Sequence, residues 1–198
     1  MIRYPNMKKP FEVKKQSVAN RGQTLESLVD ESNLYYLSHN LAVVHKKPTP
    51  IQIVKVDYPS RHAAKITEAY YKTPSTTDYN GVYQGYPLDF DVKETRSKTS
   101  FPLKNIPGHQ IDHLKAVHAQ GGIAFLIVAF TLLDEHYLLP FEVLWRYVER
   151  AKTGRQSMTY QEVCQEAYPI KQGYRPTLPY LDAVKQYIED IKKTPSTE

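Results

Sequence analysis

Asp78, Asp91 and Lys93 are the residues of this sequence whose types and spacing could do chemistry together. In "DFDVKET" the side chains of an extended chain alternate faces, so Asp91 and Lys93 share one face while Val92 points into the opposite layer. Asp78 stands at the mouth of the preceding apolar run, and a hairpin returning through Gly85 and Pro87 could bring it alongside Asp91. Two carboxylates converging on one point can hold a hard divalent cation such as magnesium through oxygen ligands. A neighbouring ammonium can orient and deprotonate an attacking water, or neutralise the charge that grows on a phosphoryl oxygen. The triplet thus suits metal-assisted phosphodiester hydrolysis. It equally suits a surface ion pair beside a turn aspartate, since D-x-K arises often by chance. Gln110, at the start of "HQIDHLKAV", could complete a metal shell with its amide oxygen, and Thr76, two residues before Asp78 on an extended chain, offers a hydroxyl on the same side.

The elements that must position these residues follow from periodicity. Leu25, Leu28, Val29, Tyr35, Tyr36 and Leu37 recur at helical spacing from Gln23 to Leu37, with Gly22 as N-cap. "LAVVHKK" and "IQIVKVDY" are rich in Val and Ile and separated by "PTP", which predicts two strands around a proline-punctuated turn. "RHAAKITEAYYKTPST" fits a helix through Ala63, Ile66 and Tyr70, and also fits a basic, aromatic projection from the body. Strands are expected at Gly81–Tyr83 and Leu88–Val92, then a helix over "HQIDHLKAVHAQGG" stopped by Gly121 and Gly122. "IAFLIVAFTLL" is apolar at every position up to Phe130, the pattern of a central strand covered on both faces. "HYLLPFEVLWRYVER" adds a strand ending at Pro140 and a helix through Trp145, with "YVERAKTGRQS" as helix end and loop. From Thr153 the chain reads as polar with one helix, "YLDAVKQYIEDIKK". The sum is an α/β domain on a mixed central sheet flanked by helices.

At 198 residues the chain is most simply one domain with tails: a basic N-terminal arm over residues 1–18, one domain over 19–190, and a short tail over 191–198. The formal charge of +5 points towards a polyanionic partner, because clustered Lys and Arg release counterions condensed on a phosphate backbone. A single cysteine excludes an internal disulfide and a cysteine-cluster zinc site, and implies a reducing, cytoplasmic setting. No stretch has the form of a secretory signal or the length of a membrane span, so a soluble protein is expected.

The segments "ANRGQTLE", "HKKPTPIQIVKVDYP", "PSTTDYNGVYQG", "DFDVKETRSKTSFPLKN", "HQIDH" and "YLLPF" together resemble the RecU family of Holliday-junction resolvases of low-GC Gram-positive bacteria and their phages, a branch of the PD-(D/E)xK nuclease superfamily. The resemblance runs from about residue 19 to about residue 185. It implies a restriction-endonuclease-like core with a protruding stalk, and a structure-selective endonuclease that nicks four-way DNA junctions symmetrically in homologous recombination and DNA repair. The family's metal ligands, for Mg2+ or Mn2+, fall on Thr76, Asp78, Asp91 and Gln110, and its transition-state lysine on Lys93. These are the residues that the spacing had selected. The family pattern has Glu where this chain has Asp91, one methylene shorter, which leaves metal distance and metal preference open. Glu26 matches a helix position from which related nucleases approach the metal, but reads more simply as an exposed helix glutamate.

The resemblance further implies a homodimer, whose twofold symmetry supplies two sites for two nicks, and a stalk over about residues 58–75 inserted at the junction centre. Tyr71 is the expected base-stacking residue, among Arg61, Lys65 and Lys72. Arg96, Lys98 and Lys104 beside the site would hold phosphates without reading sequence, as would Arg21 and the Lys46–Lys47 pair. A junction-binding architectural protein, or a modulator of the strand-exchange recombinase with little cleavage, is the alternative reading. A nuclease acting on plain duplex is another, and it would need no stalk. His109 and His113 lack the glutamate of an H-E-x-x-H zinc motif and are assigned to DNA contact or packing. Cys164 is expected as a small buried hydrophobe.

Overall fold

Thr24 sets the start of the first helix, α1 (Leu25–Ser38): its hydroxyl accepts the Ser27 amide, while the Leu25 amide donates to Glu94 Oε1 at 2.6 Å. A glycine has no side-chain oxygen with which to accept an orphan helical amide, and the cap falls on Thr24 and not on the expected Gly22. The computed structural model describes residues 23–60, 63–71 and 76–193. The expected basic arm, together with Arg21, Arg61 and Lys72, lies outside them.

After α1 come β1 (Val43–Lys46), β2 (Ile51–Asp57), β3 (Lys65–Tyr71), β4 (Tyr79–Tyr83), β5 (Tyr86–Thr95) and the short β6 (Ser100–Pro102). A tight helical turn at Leu103–Asn105 leads into α2 (Gly108–Ala119). Then follow β7 (Ile123–Phe130), β8 (Glu135–Pro140), α3 (Phe141–Ala151), β9 (Ser157–Thr159), α4 (Tyr160–Glu166), β10 (Tyr168–Ile170) and α5 (Tyr180–Lys193). Six strands form a mixed sheet in the order β1-β4-β5-β7-β8-β10. Within it β5 and β7 run parallel, and the other neighbours are antiparallel.

The alternation of β5 divides the molecule into two layers. Leu88, Phe90 and Val92 face α1 and α5, where Tyr79, Phe90 and Phe125 stack in series with ring centroids 5.0 and 4.6 Å apart. On the other face, Leu126, Val128 and Phe130 of β7 pack with Leu114 of α2, Leu144 of α3 and Val163 of α4. Every residue of β7 is buried, as its unbroken apolar run requires. Asp89, Asp91 and Lys93 therefore sit on the α2 side of the sheet.

Two expectations are corrected. "IQIVKVDY" is a strand but not of the central sheet: among the described residues β2 pairs only with β3, and the two form a separate antiparallel hairpin whose described side chains are all exposed. Pro48 and Pro50 have no amide to donate to a ladder, so the chain leaves the sheet there. The projection thus spans Ile51–Tyr71 as two strands, where the sequence reading placed it near 58–75 and allowed it to be helical. The C-terminal part is also no polar tail, since β10 closes the sheet edge and α5 buries Tyr180, Leu181, Ala183, Val184, Tyr187 and Ile188. Its aromatic anchors are tyrosines, which a purely apolar pattern passes over.

Candidate metal and phosphodiester site

The β4–β5 hairpin brings the two aspartates together. Its strands pair from Tyr83↔Tyr86 back to Tyr79↔Phe90, and one further step of that register sets Asp78 opposite Asp91. The two connecting residues, Gln84 and Gly85, both have positive φ, 49° and 84°, as a tight hairpin turn requires. Asp78 is also tied to β1, because its carbonyl accepts the Lys47 amide at 2.7 Å.

The Asp91 side chain is 0% exposed, and its Oδ1 accepts from Lys93 Nζ at 2.5 Å. Its Oδ2 is buried and has no hydrogen-bond partner, and neither has the buried Oε1 of Gln110 on α2. Burial pushes the Asp91 carboxyl up to about 6, against the pull of the Lys93 ammonium, and the charge of Asp78 adds to the rise while the Asp78 backbone opposes it. An unsatisfied buried oxygen costs about 1–3 kcal/mol. The orphaned Asp91 Oδ2 next to the charge of Asp78, with the orphaned Gln110 Oε1 on the helix that packs against β5, would suit a divalent cation, which would neutralise the Asp78–Asp91 repulsion. Among the described residues no group of three or more His, Cys, Asp or Glu side chains is arranged to hold a metal. A cation here would rest on two carboxylates, an amide oxygen and solvent, a donor set of magnesium type and unlike that of zinc.

The other expected site residues separate. The Thr76 hydroxyl accepts from Lys47 Nζ at 3.1 Å. Glu26 is exposed and pairs with Lys46 at 2.5 Å, with no hydrogen bond to Asp78 or Asp91. Arg96, Lys98 and Lys104 are exposed on the segment leaving β5, and Lys65 and Tyr71 are exposed on the hairpin, Tyr71 at 82%. His109 is exposed. Cys164 is exposed as well, contrary to expectation: it lies at the end of the short α4, with Sγ 3.3 Å from the Tyr137 hydroxyl.

Sequence reasoning missed a polar cluster immediately beside the aspartates. Lys47 Nζ lies 2.7 Å from Thr77 Oγ1 and 2.8 Å from Asp89 Oδ2, Thr77 donates to Asp89 Oδ1, and His113 Nε2 lies 3.1 Å from Asp89 Oδ2. Asp89 was legible in principle, because it precedes Asp91 by two residues and so shares its face. Lys47 had been grouped with Lys46 as a DNA contact, but its side chain is only 16% exposed and pairs inward.

The buried Asp91, the half-buried Asp78 that opposes it across the hairpin, and Lys93 two residues on are residue types that a metal-dependent nuclease could use. The sequence profile of the family described as "Recombination protein U" matches residues 20–186, and the chain belongs to that family. The Holliday junction resolvase RecU of Leuconostoc citreum is 56% identical over 171 residues, covering 86% of this chain and 83% of its own. That of Bacillus thuringiensis is 52% identical over 189 residues, covering 91% and 94%. Among solved structures, Archaeoglobus fulgidus Hjc, titled a Holliday junction resolvase from an archaeal hyperthermophile, aligns with 69% of this chain and 88% of its own at 8% identity and a TM-score of 0.37.

Proposed function

We propose that this chain is a divalent-metal-dependent endonuclease that resolves four-way DNA junctions by paired, symmetric phosphodiester hydrolysis. The observation that carries the reading is the pair of buried oxygens without partners, Asp91 Oδ2 and Gln110 Oε1, next to Asp78 and Lys93. The junction as substrate rests on the name of relatives at 52–56% identity over most of the chain.

Asp78, Asp91 and Gln110 would hold Mg2+, or Mn2+, which supplies Lewis acidity at the scissile phosphate. Thr76 stands beside them and shares its hydroxyl with Lys47. Lys93, held on Asp91 Oδ1, carries the positive charge that offsets the negative charge growing on the phosphoryl oxygens. Arg96, Lys98 and Lys104 would seat the flanking phosphates.

A twofold dimer supplies the second site. Its support is the hairpin: an isolated pair of strands is marginal in water, yet β2 and β3 expose Ile51, Ile53, Val54, Val56 and Ile66. A second copy of the same hairpin would cover those side chains and build a stalk able to enter the open centre of a junction, with Tyr71 stacking on a base. DNA recombination and repair would be the setting and the cytoplasm the compartment. Among the described residues no helix is long and apolar enough to cross a membrane.

The test is strand cleavage of a synthetic four-way junction with Mg2+, comparing the unaltered chain with Asp78→Ala and Lys93→Ala. Paired symmetric nicks from the unaltered chain, lost in both variants while junction binding persists, is the expected result. Junction binding without cleavage in either Mg2+ or Mn2+ would make the chain an architectural binder, and equal cleavage of linear duplex arms would sink the junction reading.

A further inference from the structure

The cluster of Lys47, Thr77, Asp89 and His113 sits where the hairpin joins the sheet. Lys47 lies on the outgoing root, immediately after β1, and Thr76–Asp78 on the returning root, immediately before β4. Lys47 grips the returning root twice: its amide donates to the Asp78 carbonyl, and its ammonium bonds the hydroxyls of Thr76 and Thr77. The same ammonium binds Asp89 Oδ2, and Thr77 completes the bridge to Asp89 Oδ1. His113 closes the cluster from α2, within reach of both Asp89 and Lys47. Thr77 is 0% exposed and Asp89 8%.

Each member stands next to a candidate metal ligand without being one. Thr77 adjoins Asp78 in sequence, Asp89 is two residues before Asp91 on the same face of β5, and His113 is one helical turn after Gln110 on α2. The cluster therefore ties together the three elements that carry the ligands, and ties all three to both roots of the hairpin.

We propose that Lys47, Thr77, Asp89 and His113 are positioning residues that set the metal pocket and lock it to the hairpin roots, and that Lys47 is not a DNA contact. This rests on the nuclease reading of the site. Partners that orient the ligands of a metal site typically control its affinity by about 10–100-fold. A lysine with its ammonium committed to two hydroxyls and a carboxylate has no donor left to aim at a backbone phosphate.

The experiment is calorimetric titration of the full chain with Mn2+ in the absence of DNA, for the unaltered chain, Lys47→Met, Thr77→Val and Thr77→Ser. Thermal melting and junction binding in chelator are measured on the same samples. Expected are a Mn2+ affinity about tenfold or more weaker in Lys47→Met and Thr77→Val, affinity near the unaltered value in Thr77→Ser, which keeps the hydroxyl, and junction binding within about twofold throughout. Thr77→Val preserves shape, so it reads the polar bridge even where Lys47→Met lowers the melting temperature. Unchanged Mn2+ affinity in both variants overturns the proposal, as does loss of junction binding in chelator on Lys47→Met, which would make Lys47 a DNA contact. An unaltered chain that binds no Mn2+ would instead defeat the metal reading on which the proposal stands.

Discussion

Lowering the pH should disable the cation site through a single carboxyl group, Asp91. In the metal-free chain, burial raises its pKa from the ordinary 3.8 to about 6. That gap corresponds to about 3 kcal/mol between the protonated and ionised forms in the folded state. A carboxyl raised on folding contributes stability that is fully present below its unfolded value and is lost as the pH rises through about 6. Through this group the metal-free chain is thus less stable by about 3 kcal/mol at neutral pH than in acid below the unfolded value of 3.8.

A cation reverses that trend, because it binds only the ionised carboxyl. Its apparent affinity should level off above about pH 7 and fall about tenfold per pH unit below about pH 6. At neutral pH a hundredfold excess of metal over its Kd adds about 2.7 kcal/mol, which for a chain of this size raises Tm by about 5–10 °C. The assay is calorimetric titration with Mg2+ or Mn2+ at several pH values between about 5 and 8, paired with melting curves with and without metal, on the unaltered chain and on Asp91→Asn. The variant should lose both the metal response and the pH dependence that belongs to this carboxyl. Metal affinity that stays flat through mild acid, or an Asp91→Asn variant with the same pH profile as the unaltered chain, would refute the reasoning.

Two further outcomes test the frame that holds the site. A Cβ at Gly81 would overlap the Val43 carbonyl oxygen and lie 2.6 Å from Val44 Cα, both backbone, so Gly81→Ala must push the edge strand β1 off the sheet. Urea unfolding should show a loss of at least about 1–3 kcal/mol, the range of ordinary overpacking. Tyr71, 82% exposed on the hairpin, should weaken junction binding by about 1–3 kcal/mol when changed to Ala, with Mn2+ affinity unmoved, as read by fluorescence anisotropy beside metal titration.

The parts of the molecule that follow from local periodicity were legible in the sequence. β7 announced itself as an apolar run, β5 by alternation, and α2 by its spacing and glycine stop. The aspartate pair was legible for the same reason, since a tight turn and a period of two fix which side chains meet. What the sequence did not reveal depends on partners distant along the chain. Nothing local in "IQIVKVDY" distinguishes a central strand from a free hairpin strand, and only the prolines before it explain the departure. Lys47 and Thr77 reach Asp89 across 42 and 12 residues, so no window of sequence contains the cluster. Tyr180 and Tyr187 are buried at 0% and 2%, although tyrosine reads as amphipathic, and so α5 was taken for part of a tail.

The geometry also bears on where selectivity for a branch point would reside. In the proposed site the carboxylates, the Gln110 amide oxygen and the lysine would address a phosphate and its cation, groups common to every DNA, and not a base edge. A selective enzyme built on this site must therefore admit its substrate by shape, and β2–β3 is the one part of the described chain that leaves the body with its side chains exposed on both strands. Both roots of that hairpin end at Lys47 and Asp78, so the element that would sense the branch is fastened to the element that would hold the metal. Such a fastening would give selectivity by placement alone: with the hairpin seated in a junction centre, the phosphates reaching Asp78 and Asp91 would be those at a fixed distance from the crossover, and a linear duplex, unable to seat the hairpin, would not be brought to the same position.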